Sequence, residues 1–228
     1  MKTINKYITE KLKISKKQKT EHTLFPKNKK ELQKMINDEM NKNGVNCSLN
    51  HIDVSKITDM SELFSFSYFN GDMSEWDVSN VENMESMFYY SKFNADISNW
   101  DVSNVTNMDA MFMKSLYTGD ISEWDVSNVE NMHYMFNTSV FNGDLSKWDI
   151  RNVRTIAGMF KNSEFNNDSI CNWDVSNVEY MDNMFRNSIF NKDISKWQII
   201  SKCKIFGMFI DCPMEYKYKP YKDGVRIK

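Results

Sequence analysis

Apolar positions along the chain follow one pattern that returns every 24 residues, with a single interval of 25. A tryptophan marks six units, at Trp76, Trp100, Trp124, Trp148, Trp173 and Trp197. A phenylalanine marks seven, at Phe64, Phe88, Phe112, Phe136, Phe160, Phe185 and Phe209. Both markers share the one longer interval, which lies between Phe165 and Trp173. Two independent markers with one shared insertion identify a chain of repeats.

Within a unit, the apolar spacing predicts a short strand followed by a short helix. Trp100 and Val102 are two residues apart, so a strand would point both into the core while Asp101 faces outward. Apolar residues over 105–112 are then spaced by three and four, which is the period of a helix. Capping boxes that start such helices occur at Ser79/Glu82, Ser127/Glu130 and Ser176/Glu179.

No unit of this length buries its apolar face alone, whereas stacked units share one core. The pattern therefore predicts an α/β solenoid, a leucine-rich-repeat-like right-handed stack of about seven units with short parallel strands and short helices. Residues 24–50 are predicted to form an N-terminal capping helix, roughly 28–41, and the first strand; Gly44 would end the helix. The solenoid covers 51–213. Residues 1–23 form a basic tail that is either disordered or orders on binding, and 214–228 form a basic C-terminal tail.

The units, written F-N-x-D-I-S-x-W-D-V-S-N-V-x-N-M-x-x-M-F, resemble the BspA-like leucine-rich repeats, also called mycoplasma-type lipoprotein repeats. The resemblance covers about residues 24–213. It implies a leucine-rich-repeat-like solenoid, and it implies adhesion for those members of the family that are surface proteins. Other members have no known role, including copies in phages and large viruses. This sequence departs from the surface proteins because it shows no signal or lipidation sequence.

The composition of the chain limits the classes of protein and of site that we expect. The chain has 228 residues, 41% of them hydrophobic, with a mean hydropathy of -0.60 and only short apolar runs, so no membrane span is expected. Without a signal peptide the sequence as written predicts a cytoplasmic protein; a missing export signal would make it a surface or secreted one. Scattered cysteines and histidines, no acid–base pair and no phosphate loop predict no metal, no cofactor and no enzymatic activity.

Basic and acidic side chains are concentrated in different parts of the chain. Residues 1–30 carry ten lysines and two acids, residues 50–213 carry twelve basic and twenty-four acidic side chains, and residues 214–228 carry five basic and two acidic ones. A body with this acidic excess argues against nucleic acid as the ligand. A protein partner is therefore expected, and a monomer is favoured.

One aspartate recurs on the outward side of successive strands, at Asp53, Asp77, Asp101, Asp125, Asp149 and Asp174. Like charges across neighbouring strands are destabilising, so the row needs an explanation. One interpretation is an acidic stripe for a basic partner or for calcium. The other is local: each carboxylate accepts a hydrogen bond from the turn that follows it, which suits a slot that hardly varies.

Variable slots are the second candidate surface. The residue before each tryptophan changes from acidic to basic along the stack, as Glu75, Asn99, Glu123, Lys147, Asn172 and Lys196. Such a gradient would orient a partner of opposite gradient, or it is solvent-exposed drift. Tyr89, Tyr90 and Tyr117 would form an aromatic patch of the kind enriched at interfaces, or they lie at the edge of the core.

These features predict a non-enzymatic protein-interaction scaffold that binds a macromolecular partner through its strand-side face and variable slots. The alternative is a surface adhesin module that binds host protein or glycan with the help of calcium.

Overall fold

The computed structural model describes residues 20–228. Near the start of this range, the N–H of Thr23 donates to the carbonyl of His51, and Leu24 forms a parallel bridge with Ile52. Most of the predicted basic tail 1–23 lies outside the described residues. Within the described range no helix has the length and apolar character needed to cross a lipid bilayer.

Helix α1, Lys29–Asn43, covers the front of the repeat array. Its first free N–H groups are capped by Asn28, whose side chain accepts from the N–H of Glu31, and Gly44 ends it with a φ of 85°. The sequence predicts this helix over roughly 28–41. Leu32 and Ile36 are fully buried against the core of the first unit, so the apolar face of α1 seals an end that water would otherwise reach.

Successive repeats lie side by side and are joined by a regular hydrogen-bond ladder. Isolated parallel bridges connect each unit to the next, from Asp59–Asn83 to Tyr180–Lys204. In each of the first six units, four alternate N–H groups donate to carbonyls of the following unit. In the second unit the donors are Met84, Ser86, Phe88 and Tyr90, and the acceptors are Asn107, Asp109, Met111 and Met113, at 2.7–2.9 Å.

The structure differs from the predicted short helices. Over residues 105–114 the N–H groups of Met111 and Met113 donate to Met108 and Ala110, three residues back, as in β-turns. Ala110 and Lys114 have φ values of 53° and 56°, which a right-handed helix excludes. Val105 donates to the carbonyl of Val102 and Asp109 to the side chain of Asn107, and the other N–H groups of this segment donate to neighbouring units. None is left for a helical i to i−4 bond.

The predicted capping boxes are absent for the same reason. The N–H and hydroxyl of Ser79 donate to Asp77, and the N–H of Glu82 donates to the carbonyl of Thr58 in the preceding unit. The predicted strand position differs as well. Trp100 and Val102 are buried and Asp101 is exposed, but the bridge that joins this unit to its neighbours lies at Asn107.

The core consists of side-chain columns that run along the stack. Neighbouring phenylalanines of the repeat stack at 5.5–5.9 Å between ring centroids, from Phe64 to Phe209. Beside them, each indole N–H donates to a backbone carbonyl of the preceding unit; Trp100 reaches Met73 at 3.2 Å. Each buried aromatic side chain contributes about 1.5–3 kcal/mol by leaving water, and the indole bond satisfies a carbonyl that no ladder bond uses.

The C-terminal residues form a cap of their own. Strand β1, Gln198–Ile199, pairs in parallel with β2, Tyr221–Lys222, and β2 pairs antiparallel with β3, Val225–Arg226. Short 3-10 helices lie at Asp168–Ile170, where the longer unit absorbs its extra residue, and at Tyr216–Tyr218. The segment 214–228, a basic tail in the sequence-based prediction, therefore folds back as a hairpin against the last unit.

Candidate partner-binding surface

The six aspartates of the outward row are engaged with their own backbone. In each of the six units that carry this aspartate, the carboxylate Oδ1 accepts from the N–H two residues later, at 3.0–3.2 Å. This is the hydrogen bond that the local interpretation predicts. The members of the row are Asp53, Asp77, Asp101, Asp125, Asp149 and Asp174.

For three members of the row the pKa is lowered by such contacts. Hydrogen bonds from Ser55 and Ser176 lower the pKa of Asp53 and Asp174, and the guanidinium of Arg151 lowers that of Asp149. Within residues 20–228, no group of three or more histidine, cysteine, aspartate or glutamate side chains is placed to hold a metal ion. Each carboxylate of the row is therefore a separate charge that is hydrogen-bonded to its own turn.

A second aspartate row was missed by the sequence reasoning. It precedes the tryptophan by four residues, and its carboxylates accept from the serine N–H two residues later at 2.8–3.0 Å. Its members are Asp72, Asp96, Asp120, Asp144 and Asp193. In the longer unit Asn167 takes this role, with a 2.9 Å bond from Ser169. The repeated Asp-x-Ser spacing was the available signal, because the same spacing follows the tryptophan.

Most side chains in the variable slots before the tryptophans contact one another or the N-terminal segment. The carboxylate of Glu75 accepts from the N–H of Thr20 at 2.9 Å. Lys147 forms an ion pair with Glu123 of the preceding unit, which raises the pKa of Lys147. Lys196 donates to Asn172 at 3.4 Å, and Asn99 is exposed. The predicted gradient from acid to base thus exists on the surface, but part of it is neutralised by neighbours along the stack.

The structure brings Tyr89 and Tyr90 together with Phe66 in an aromatic cluster that the sequence only partly indicated. The ring of Phe66 lies 4.9 Å from Tyr89, edge to face, and 5.6 Å from Tyr90. The ammonium of Lys114 lies 5.8 Å from both tyrosine rings, so its charge faces their π surfaces. Phe66 is 63% exposed and Tyr90 57%, and these four residues, here called the aromatic cluster, cross three successive units.

Two rings of this cluster stand in a left-handed backbone slot that recurs in every unit and elsewhere holds no aromatic side chain. Phe66 and Tyr90 occupy the same slot of two units and have φ values of 56° and 50°. A side chain in this left-handed region costs roughly 1–2 kcal/mol, and asparagine tolerates it best among non-glycine residues. The other units place Lys114, Thr138, Asn162, Asn187 and Asp211 in the slot, with φ values of 55–56°. Because burial does not offset the strain of two exposed rings, their presence points to an interaction.

Tyr117 lies outside the cluster, contrary to one of the two interpretations of the sequence. Its ring is fully buried between Phe93 and Phe112, at 6.1 Å and 4.7 Å. Burial raises the pKa of Tyr117, and its hydroxyl has no hydrogen-bond partner within the described part of the chain. Tyr117 therefore replaces a core phenylalanine of the repeat and contributes no exposed surface.

Comparison with known proteins gives one match. A family profile described as Mycoplasma protein of unknown function, DUF285, matches residues 30–140 and 114–217, which includes α1 and every repeat in full or in part. No curated protein and no solved structure matches the chain. Since the profile spans well over half of the sequence, the chain belongs to the DUF285 family of mycoplasma proteins of unknown function.

Proposed function

We propose that this protein is a non-enzymatic interaction scaffold that binds a protein partner through the aromatic cluster of Phe66, Tyr89, Tyr90 and Lys114. The observation that carries the proposal is the pair of exposed rings held in a strained backbone conformation. Aromatic side chains of this kind supply large contact areas at low cost in conformational entropy, and they are enriched among the residues that dominate binding energy.

The surroundings of the cluster support this proposal. Tyr68, two residues after Phe66, is 71% exposed and extends the apolar area. The ladder fixes the backbone under the cluster, because the N–H groups of Phe66 and Tyr90 both donate to the following unit at 2.8 Å. Rings on a rigid support lose little freedom on binding, which favours affinity.

The proposal also includes the type of repeat architecture that the chain forms. We take the array to be a solenoid of the BspA-like leucine-rich-repeat kind, in which repetition supplies a rigid support and individual slots supply specificity. The aspartate rows then stabilise the turns of the support. The slots before the tryptophans form a secondary surface that steers a partner by charge.

The test captures partners from a lysate of the cells that make the protein, with three baits. The wild-type chain is compared with Phe66→Asn/Tyr90→Asn, which removes both rings and leaves a residue suited to the backbone. The matched control, Asn162→Thr/Asn187→Thr, changes the same slot in two later units and copies Thr138. We expect the control to retain the partner of the wild type and the asparagine variant to lose it.

A fourth bait separates the two candidate surfaces. It replaces all six slots before the tryptophans by serine, at Glu75, Asn99, Glu123, Lys147, Asn172 and Lys196. A partner that is lost with this bait and kept by Phe66→Asn/Tyr90→Asn would move the binding site to the slots and contradict the role of the aromatic cluster.

A further inference from the structure

The last repeat ends the hydrogen-bond ladder with a row of unused donors. Residues 205–211 correspond to the ladder segments of the six earlier units, where four alternate N–H groups donate to the following unit. In the part of the chain that the structure describes, the corresponding N–H groups of Ile205, Gly207, Phe209 and Asp211 have no hydrogen-bond acceptor. An open row of backbone donors is a template on which another chain can pair.

A groove of mixed apolar and polar lining lies against this row. It has a volume of about 280 Å³, and its lining includes Ile205, Phe209, Ile210 and Ile227. Ile210 is 41% exposed, and the neighbouring Phe206 is 75% exposed. The C-terminal hairpin leaves this side of the last unit open, in contrast to the front of the array, where α1 buries the core.

Positive charge borders the groove. Lys219 and Lys228 line it, and the ammonium of Lys219 lies 5.0 Å from the ring centroid of Phe209. The whole segment 214–228 has five basic and two acidic side chains. Carboxylates of a partner would therefore be attracted to this end.

The same charges disfavour a second copy of the chain as the occupant. Head-to-tail stacking would place the first unit of one copy on the last unit of another. That first unit is covered by α1, whose Lys29 contacts Asp59 and Ser61 of the ladder segment and which also carries Lys30 and Lys34. The helix would stand between the two ladders, and its outer face carries three lysines against one acid, Asp38, so positive charge would mostly face positive charge.

We propose that this end of the array, here called the terminal groove, binds an extended acidic segment of another protein. In an extended chain the carbonyls of alternate residues point to one side, where they accept from the N–H groups of the last unit. Alternate apolar side chains enter the groove, and acidic ones pair with Lys219 and Lys228. This site lies at the opposite end of the array from the aromatic cluster, so either site can fail without the other.

Amide hydrogen exchange measured by NMR tests the site with two synthetic peptides. One alternates valine with glutamate, and the control alternates valine with lysine, so that the backbones are equal and the charges opposite. In the free protein, the four amides of residues 205–211 should exchange faster than Met181, Asn183, Phe185 and Asn187, their counterparts in the preceding unit. The glutamate peptide should slow them by roughly tenfold or more, and the lysine peptide should not.

A charge-reversed protein, Lys219→Glu/Lys228→Glu, provides the second arm. Lys228 is exposed and Lys219 is half-buried beside Phe209, and the variant should prefer the lysine peptide. Four results would overturn the proposal: amides already protected in the free protein, no protection by the glutamate peptide, equal protection by both peptides, or protection that rises with protein concentration alone. The last result would identify a second copy as the occupant.

Discussion

At the scale of single residues, the aspartate rows act as hydrogen-bond acceptors for turns. Asp101 accepts from the N–H of Ser103 at 3.1 Å and from its hydroxyl at 2.6 Å. Replacement of Asp101 by alanine should lower the free energy of unfolding by about 1 kcal/mol, because the N–H loses its partner. Replacement by asparagine keeps an acceptor oxygen in place and should cost much less. Urea denaturation of both variants measures the difference.

The comparison also decides between the two interpretations of the row. If asparagine at position 101 destabilised the chain as much as alanine, the negative charge itself would be required. A gain in the melting temperature of the wild type on addition of calcium, absent in both variants, would then favour a cation bound along the row over a purely local role.

The left-handed slots make a second prediction at this scale. Ala110 and Gly158 occupy the same slot two units apart, with φ values of 53° and 61°. Replacement of Ala110 by glycine relieves about 1–2 kcal/mol of steric strain. It also adds freedom to the unfolded chain at a cost of about 0.5–1 kcal/mol. The net expectation is a protein more stable by up to about 1.5 kcal/mol.

The reverse change is its matched control. Replacement of Gly158 by alanine should destabilise the chain, because the slot is left-handed and the new Cβ would lie 2.1 Å from Cε1 of Tyr134. Thermal or chemical denaturation of the two variants gives shifts of opposite sign. Equal signs would show that backbone strain does not govern these positions.

At the scale of elements, the sequence predicts the repeat, its period and its inward residues. Trp100 and Val102 are buried and Asp101 is exposed, since alternation depends only on where side chains point. Helix α1 could equally be predicted from the sequence, because Asn28 and Gly44 mark its ends with strong capping signals.

The conformation of residues 105–114 could not be predicted in the same way. Apolar residues spaced by three and four suit both a helix and a series of overlapping turns that bury one side. Glycine in every unit would have revealed the left-handed slot, but only Gly158 and Gly207 occupy it, and other units place residues such as Glu62, Ser86 and Ala110 there. The aromatic cluster was missed in part for the same reason: Phe66 meets Tyr89 only because successive units stack in this register.

Circular dichroism distinguishes the two conformations. Among residues 20–228 the structure contains one α-helix, the 15 residues of Lys29–Asn43. The far-ultraviolet spectrum should therefore show a weak helical signal, which a proline at an exposed position in the middle of the helix, Asn37→Pro, would largely remove. A strong signal at 222 nm that survives this change would restore the short helices predicted for each repeat.

At the scale of the whole molecule, the middle units of the array are alike, and its two ends differ from each other. Six units satisfy their ladder donors through the next unit, so each strengthens its neighbour. The front is sealed by α1, whereas the last unit keeps open donors beside a basic hairpin. The aromatic cluster crosses the first three units, and a partner bound there would depend on their relative positions.

The central claim is that a partner contacts the aromatic cluster, and site-specific photo-crosslinking in the producing cells tests it most directly. A photoreactive benzoyl-phenylalanine is placed at Tyr90 in one protein and at Asn162, the same slot three units later, in another. The account predicts one discrete crosslinked species at position 90 that position 162 does not form. Crosslinking at position 162 alone, or at neither position while an unmodified bait still retains a partner, would contradict it.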